Sequence, residues 1–184
     1  MYSIGCKAGL VWIKEPMIET ARLRLIPCEL KHFEALLNNP PQLEAMLGVS
    51  TAKDWLSFPE AISHGYEYLK ANPNAHQWWM HLFIHKEDNR LIGCGGYKGE
   101  ADDAGMVEIG YEIAPAYRNR RLATEAAEGM IAHAFSHPHI KMVDAHTLAE
   151  TNHSTRVLEK VGMKNIGTTH DPDDGETWHW RLNR

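Results

Sequence analysis

No stretch of this 184-residue chain is apolar for long enough to cross a bilayer. The longest apolar run near the start, Ala8 to Ile13, is broken by Gly9 and lacks a small-residue cleavage site, so neither a membrane anchor nor a secretion signal is expected. Cysteine is scarce. Cys6, Cys28 and Cys94 are odd in number and share no metal or redox spacing, which points to free thiols in a reducing, cytoplasmic setting. Positive charge is also short. A formal net charge of -5 speaks against nucleic acid as the main partner, because phosphate binding leaves a basic footprint. Internal repeats, low-complexity tracts and interdomain linkers are missing. Neither a Gly-x-x-x-x-Gly-Lys loop nor a Gly-x-Gly-x-x-Gly run occurs, which counts against a nucleotide-dependent enzyme. His133, His137 and His139 lie close in sequence, yet no carboxylate completes a pattern such as His-Glu-x-x-His, and no metal is expected.

What is present reads as one α/β domain. Residues 1-16, ending in Lys14-Glu15-Pro16, look like an N-terminal extension, and the domain is expected over 17-184. Leu23 and Leu25 alternate with Arg22 and Arg24, the mark of a half-buried strand. Helical spacing follows over 29-37, 42-47 and 59-71, with Asn38-Asn39-Pro40-Pro41 closing the first of these. Strand patterns then cover 78-85, 91-97 and 106-113. The clearest helix is 121-135, on the apolar stripe Ala123, Ala127, Met130, Ile131, Ala134 and Phe135. A strand at 142-148, a helix at 154-161 closed by Gly162, and two short strands near 164-169 and 177-182 complete the order.

The sharpest signal is Pro115-Ala116-Tyr117-Arg118-Asn119-Arg120-Arg121-Leu122-Ala123-Thr124-Glu125-Ala126. A strand ends, a short turn carries three arginines, and a strong helix begins. Free backbone N–H groups and the positive end of the helix dipole converge there. Arginine is unfavourable at that position unless an anion is bound, and a diphosphate would reverse the sign. A solvated basic turn is the bland alternative. Upstream, period two puts Glu108, Gly110 and Glu112 on one strand face and Ile109, Tyr111 and Ile113 on the other. A solvent-facing edge strand would show the same pattern.

These residues resemble the GNAT superfamily of acyltransferases, in particular the branch of ribosomal-protein N-terminal acetyltransferases. Arg118-x-x-Arg121-x-Ala123 falls on that family's Arg/Gln-x-x-Gly-x-Gly/Ala coenzyme A motif, with Arg121 where glycine is usual. Asn152-His153-Ser154-Thr155-Arg156-Val157-Leu158-Glu159-Lys160-Val161-Gly162-Met163 resembles its second motif, with the Asn–Ser spacing shortened. The resemblance implies a single-domain GNAT fold, a mixed central sheet of about seven strands flanked by helices, and acetyl-CoA as cosubstrate. It places the pyrophosphate on Arg118, Asn119, Arg120, Arg121, Leu122 and Ala123; Arg121 can serve there if its φ is helical and its side chain swings away or reaches a phosphate. It places Asn152 on the cofactor, the Ile113 N–H on the thioester carbonyl, and Ser154 beside the sulfur as proton donor. Glu108 is the first choice for the base, directly or through water, and Glu112 the second. Asn152 and Ser154 also suit a helix cap.

The implied activity is transfer of an acetyl group to an amine-bearing acceptor, whether a protein N-terminus, a polyamine, an amino acid or an aminoglycoside. The acceptor is expected against residues 40 to 76 and the last hairpin, with Trp55, Phe58, Tyr66 and Tyr68 as an aromatic wall. Family resemblance alone suggests a homodimer. Two rivals remain: a GNAT-fold protein that binds acyl-CoA without catalysis, as a sensor or interaction module, and an unrelated α/β phosphate binder.

Overall fold

The computed structural model describes residues 17–172 and 175–184. The expected extension at 1-16, Cys6 and part of the 171-175 turn lie outside the described residues. Nine strands form one mixed sheet: β1 (Ile18–Glu19), β2 (Leu23–Pro27), β3 (Ser50–Thr51), β4 (Met80–His85), β5 (Arg90–Tyr97), β6 (Met106–Ile113), β7 (Met142–Leu148), β8 (Lys164–Asp171) and β9 (Gly175–Asn183). The order across the sheet is β1-β2-β4-β5-β6-β7-β9-β8, with β3 alongside β5. Seven of these are the strands read from the sequence. The additional β1 and β3 have two residues each, too few to show a period.

Five helices flank the sheet: α1 (Leu30–Asn38), α2 (Pro40–Leu47), α3 (Glu60–Ala71), α4 (Leu122–Ser136) and α5 (His153–Lys160). The Asn38 to Pro41 segment ends α1 as expected and also starts the next helix. Pro40 and Pro41 occupy the first turn of α2, where their missing N–H groups would be unpaired anyway. Trp78 is not in a strand; it closes a 3₁₀ segment, Pro73–Trp78, that delivers the chain into β4.

Two cores sandwich the sheet. On one side α4 buries Leu122, Ala126, Ala127, Met130, Ile131 and Ala134 against Leu23, Leu25, Val107 and Ile109. Tyr97 ties that layer to β5, its hydroxyl donating to the Met130 carbonyl at 2.7 Å. On the other side Phe33, Leu43, Ile62 and Leu69 of α1 to α3 pack on Leu82, Ile84 and Leu91. This second layer covers β4 and β5. Farther along the same face, Glu108, Gly110 and Glu112 of β6 are half-buried, and His146 and Leu148 of β7 are exposed. β6 is a central strand, so the edge-strand explanation of its two carboxylates does not hold.

Candidate active site

β6 and β7 run parallel but pair only through Met106, Val107 and Glu108 with Met142, Val143 and Asp144. Beyond Glu108 the strands part. β7 stays straight because β9 pairs with all of it, from Met142 to Leu148. Hydrogen bonds from Lys98 N to Glu108 O at 3.0 Å and from Ala114 N to Ile92 O at 2.7 Å commit the even-numbered backbone of β6 to β5. By alternation Tyr111 and Ile113 turn their backbone groups into the gap, ~7 Å apart along the strand. The Ile113 carbonyl accepts from Arg118 Nε at 3.0 Å, which leaves its N–H facing the gap.

The basic turn closes one end of this gap. Asn119 and Arg121 both adopt φ 61°, so Arg121 takes the left-handed conformation of the usual glycine and not the right-handed helical φ under which it was to serve. Arg121 is the residue immediately before α4, with ψ 16°. To leave the strand and present its N–H groups to the gap, the chain must pass through the left-handed region, which glycine enters freely and arginine does not. Arg121→Gly is therefore expected to stabilise the fold by ~0.5–1 kcal/mol, the relieved strain less the entropy of glycine. A rise of about 2–3 °C in thermal denaturation would show it; a fall would mean the Arg121 side chain holds the turn.

A cavity of ≈ 260 Å³ sits on this turn, lined by Arg118, Asn119, Arg121, Leu122 and Ala123 on one wall and by Arg156 and Lys160 of α5 on the other. Arg120, expected there, is turned away and lies 5.0 Å over the Tyr117 ring. Arg156 and Lys160 were missed by sequence reasoning. Their spacing of four along a helix that begins at the second motif was the available signal.

The groove continues into a cavity of ≈ 400 Å³ between Tyr111, Glu112 and Ile113 on β6 and Asn152, Ser154 and Val157 on α5. Asn152 is the α5 cap: its side-chain oxygen accepts from Ser154 N at 2.9 Å and Thr155 N at 3.1 Å. Capping fixes the residue at the mouth of the gap and leaves its amide nitrogen available. The Tyr111 hydroxyl reaches the Ser154 carbonyl at 3.4 Å. Burial pushes that phenol up, so it stays protonated beside Ser154.

Phe58, Tyr111 and Glu112 are shared with a third cavity, ≈ 680 Å³, that opens under α3 between Ala61, His64, Trp79 and the β5–β6 floor. Of the aromatic wall expected from the sequence, only Phe58 is in this cavity. Tyr68 is stacked on Trp79 at 3.8 Å between ring centroids, and Trp55 and Tyr66 pack against the cores. No described residue of the last hairpin lines it.

On the floor, Glu112 is held by Ser57 N at 2.8 Å and by the Cys94 thiol at 3.3 Å. Burial, and then the Glu112 charge, push Cys94 far up, so it is a thiol at neutral pH and no nucleophile. Glu108 lies on the same face, four residues away across Gly110. Its Oε1 is 2.5 Å from Lys98 Nζ and 3.1 Å from His146 Nδ1.

A family model described as acetyltransferase (GNAT) domain matches residues 22–164. The chain belongs to the GNAT acetyltransferase family. As a GNAT acetyltransferase it is an acyltransferase, and acetyl-CoA is its acetyl donor. It is 28% identical over 149 residues to the uncharacterized N-acetyltransferase YjdG of Bacillus subtilis, covering 80% of this chain and 89% of that protein. Among solved structures it resembles RimL, a ribosomal L7/L12 alpha-N-protein acetyltransferase in complex with coenzyme A. The TM-score is 0.66 at 14% identity, over 91% of this chain and 98% of that one. It also resembles the microcin C7 self-immunity acetyltransferase MccE in complex with acetyl-CoA and AMP. There the TM-score is 0.64 at 14% identity, over 90% and 94% of the two chains. The α/β GNAT fold expected from the motifs is the fold observed.

Proposed function

We propose that acetyl-CoA lies along the groove, pyrophosphate on the turn and thioester in the gap, and that a primary amine attacks it from the cavity under α3. One observation carries this reading. A single run of cavities joins a cationic turn, an unpaired strand edge and a floor that carries the Glu112 carboxylate, in the order that phosphate, pantetheine and ammonium require. Backbone N–H groups of 118-123, with Arg118 and Arg121, hold the diphosphate. The Ile113 N–H polarises the thioester carbonyl as charge develops on its oxygen. Ser154 supplies a proton to the departing thiolate, and Asn152 positions the pantetheine. Glu108 and Glu112 attract the acceptor as its ammonium ion, with Glu108 on the route by which its proton leaves. The buried Cys94 thiol argues for direct attack over an acetyl-cysteine intermediate.

A protein N-terminus and a small amine both fit an acceptor cavity of this size and charge. The free, buried thiols of Cys28 and Cys94 suit a cytoplasmic enzyme. The homodimer rests on family resemblance alone.

Calorimetric titration with acetyl-CoA tests the cofactor assignment. Micromolar binding is expected, weakened at least tenfold, ~1.4 kcal/mol, by Arg118→Ala with Arg121→Ala. No binding at millimolar acetyl-CoA would reject the site. Tight binding with no turnover of any amine would favour the sensor reading.

A further inference from the structure

The proton that leaves the acceptor has a further destination on this face besides the two carboxylates. We propose that His146 takes it, with Glu108 acting as the positioning residue that holds the imidazole. This rests on the acetyltransferase reading above and adds a catalytic residue to it. Glu108 is poorly placed to act alone, since its Oε1 is already shared by Lys98 at 2.5 Å and His146 at 3.1 Å. The imidazole atom nearest that oxygen is Nδ1, and the step proposed uses the tautomer with hydrogen on Nδ1 and the lone pair on Nε2. A carboxylate on one ring nitrogen, with the other left free, is the arrangement that orients a histidine base.

Register and stacking place that base at the reaction. Pairing of Glu108 with Asp144 is the last between β6 and β7, so carrying the register on by two sets His146 across the gap from Gly110. A Cβ built at Gly110 would meet nothing within 4 Å, which leaves an open slot in front of the ring. Behind it, the His179 ring stacks on His146 at 4.5 Å between centroids and 18° between planes. His179 is anchored in turn by Nε2 on Asp144 Oδ2 at 2.6 Å. The charged groups around the pair are Glu108 and Asp144 with Lys98 and Arg181, Asp102 acting on Arg181, and Glu112 beyond Gly110 on the same face.

The step is then written in full. The ammonium of the acceptor gives one proton to His146 Nε2 and becomes a neutral amine. Its lone pair forms the C–N bond to the acetyl carbon, and the C–S bond breaks. The second amine proton reaches the thiolate by way of Ser154, and His146 returns its proton to solvent. Acetamide, coenzyme A thiol and one proton result.

The experiment follows coenzyme A thiol release across pH for wild type, His146→Gln and Glu108→Gln. An alanyl tripeptide, spermidine and lysine serve as acceptors; if wild type uses none of them, its slow hydrolysis of acetyl-CoA by water is the reaction read. Acetyl-CoA affinity and thermal denaturation are measured in parallel. His146→Gln is expected to lower kcat about 100-fold or more. The ascending limb of log kcat/KM against pH should lose one unit of slope, with acetyl-CoA affinity held within about threefold. Glu108→Gln should lower kcat less and keep the slope. Wild-type kcat and slope in His146→Gln would overturn the proposal, as would loss of the slope in Glu108→Gln alone. Failure of wild type to bind acetyl-CoA would instead sink the acetyltransferase site itself.

Discussion

Valine at Gly110 is expected to leave the fold intact and to stop acetyl transfer. The position is an interior residue of a central strand, where glycine is a weak choice: it costs roughly 0.5–1 kcal/mol against alanine and offers nothing to pack. Its Cβ direction is empty to 4 Å, so a side chain enters without moving a neighbour. β-branched residues suit strands, and the melting temperature should hold or rise. The contrast is Gly95 on the adjacent strand, where a Cβ would run into the Gly110 carbonyl and the Phe83 ring; valine there should destabilise. What valine fills at 110 is the slot bounded by Glu108, Glu112 and His146, where the acceptor nitrogen must come within bonding distance of the thioester. Displacing a reacting atom by ~1 Å costs about 100-fold, so kcat/KM should fall by at least that factor. Affinity for acetyl-CoA should change less than about threefold, since in the proposed binding mode the cofactor meets the odd-numbered backbone in the gap and the valine side chain points off the face of the sheet. Wild-type turnover in Gly110→Val would move the acceptor elsewhere. A collapse of acetyl-CoA affinity would assign the slot to the cofactor.

How far the sequence reached can be read at particular residues. β6 and α4 were legible because each is long enough for its period to repeat, and the Pro115 turn between them is marked by composition. The two carboxylates and Gly110 were placed on one face by alternation alone. Three features were out of reach. The left-handed Arg121 follows from the direction in which the chain must leave β6 to start α4, a tertiary demand that overrides the residue's own preference. The meeting of His146 with Glu108 depends on the register of two parallel strands joined through a 15-residue helix, and no local pattern encodes that offset. The aromatic residues misled for a third reason. Tyr66 and Tyr68 lie in a helix whose core side explains aromatics as well as a pocket would, Trp55 lies in the loop before it, and only burial separates the two readings. Phe58, 61% exposed, is the one the groove keeps.

Removal of the Asp144 carboxylate should cost the most stability among these changes, and the acid limb of the stability curve should go with it. Asp144 is 1% exposed at the point where β6, β7 and β9 meet. Arg181 grips it with two hydrogen bonds of 2.7 Å, and His179 adds one of 2.6 Å. Burial by itself would raise its pKa, but the bonds from Arg181 and His179 outweigh burial and hold the carboxyl below its ordinary value. A depressed carboxylate contributes stability that is complete above its unfolded pKa, about 3.9, and that is lost as pH falls through the lower folded value. Breaking a fully buried pair typically costs ~3–5 kcal/mol. Arg181 and His179 keep partial access to water and can rehydrate, so ~2–3 kcal/mol is expected for Asp144→Ala, a drop of roughly 5–10 °C in melting temperature. Denaturant curves at pH 7 and pH 3 decide it: the gap between wild type and variant should be widest at pH 7 and shrink at pH 3. An unchanged gap would mean the loss comes from packing and that the charge on Asp144 is incidental. Because Asp144 also anchors His179, and through it the His146 ring, the same variant links stability to chemistry: residual activity measured well below its melting temperature should fall with the ring no longer held, while acetyl-CoA affinity stays.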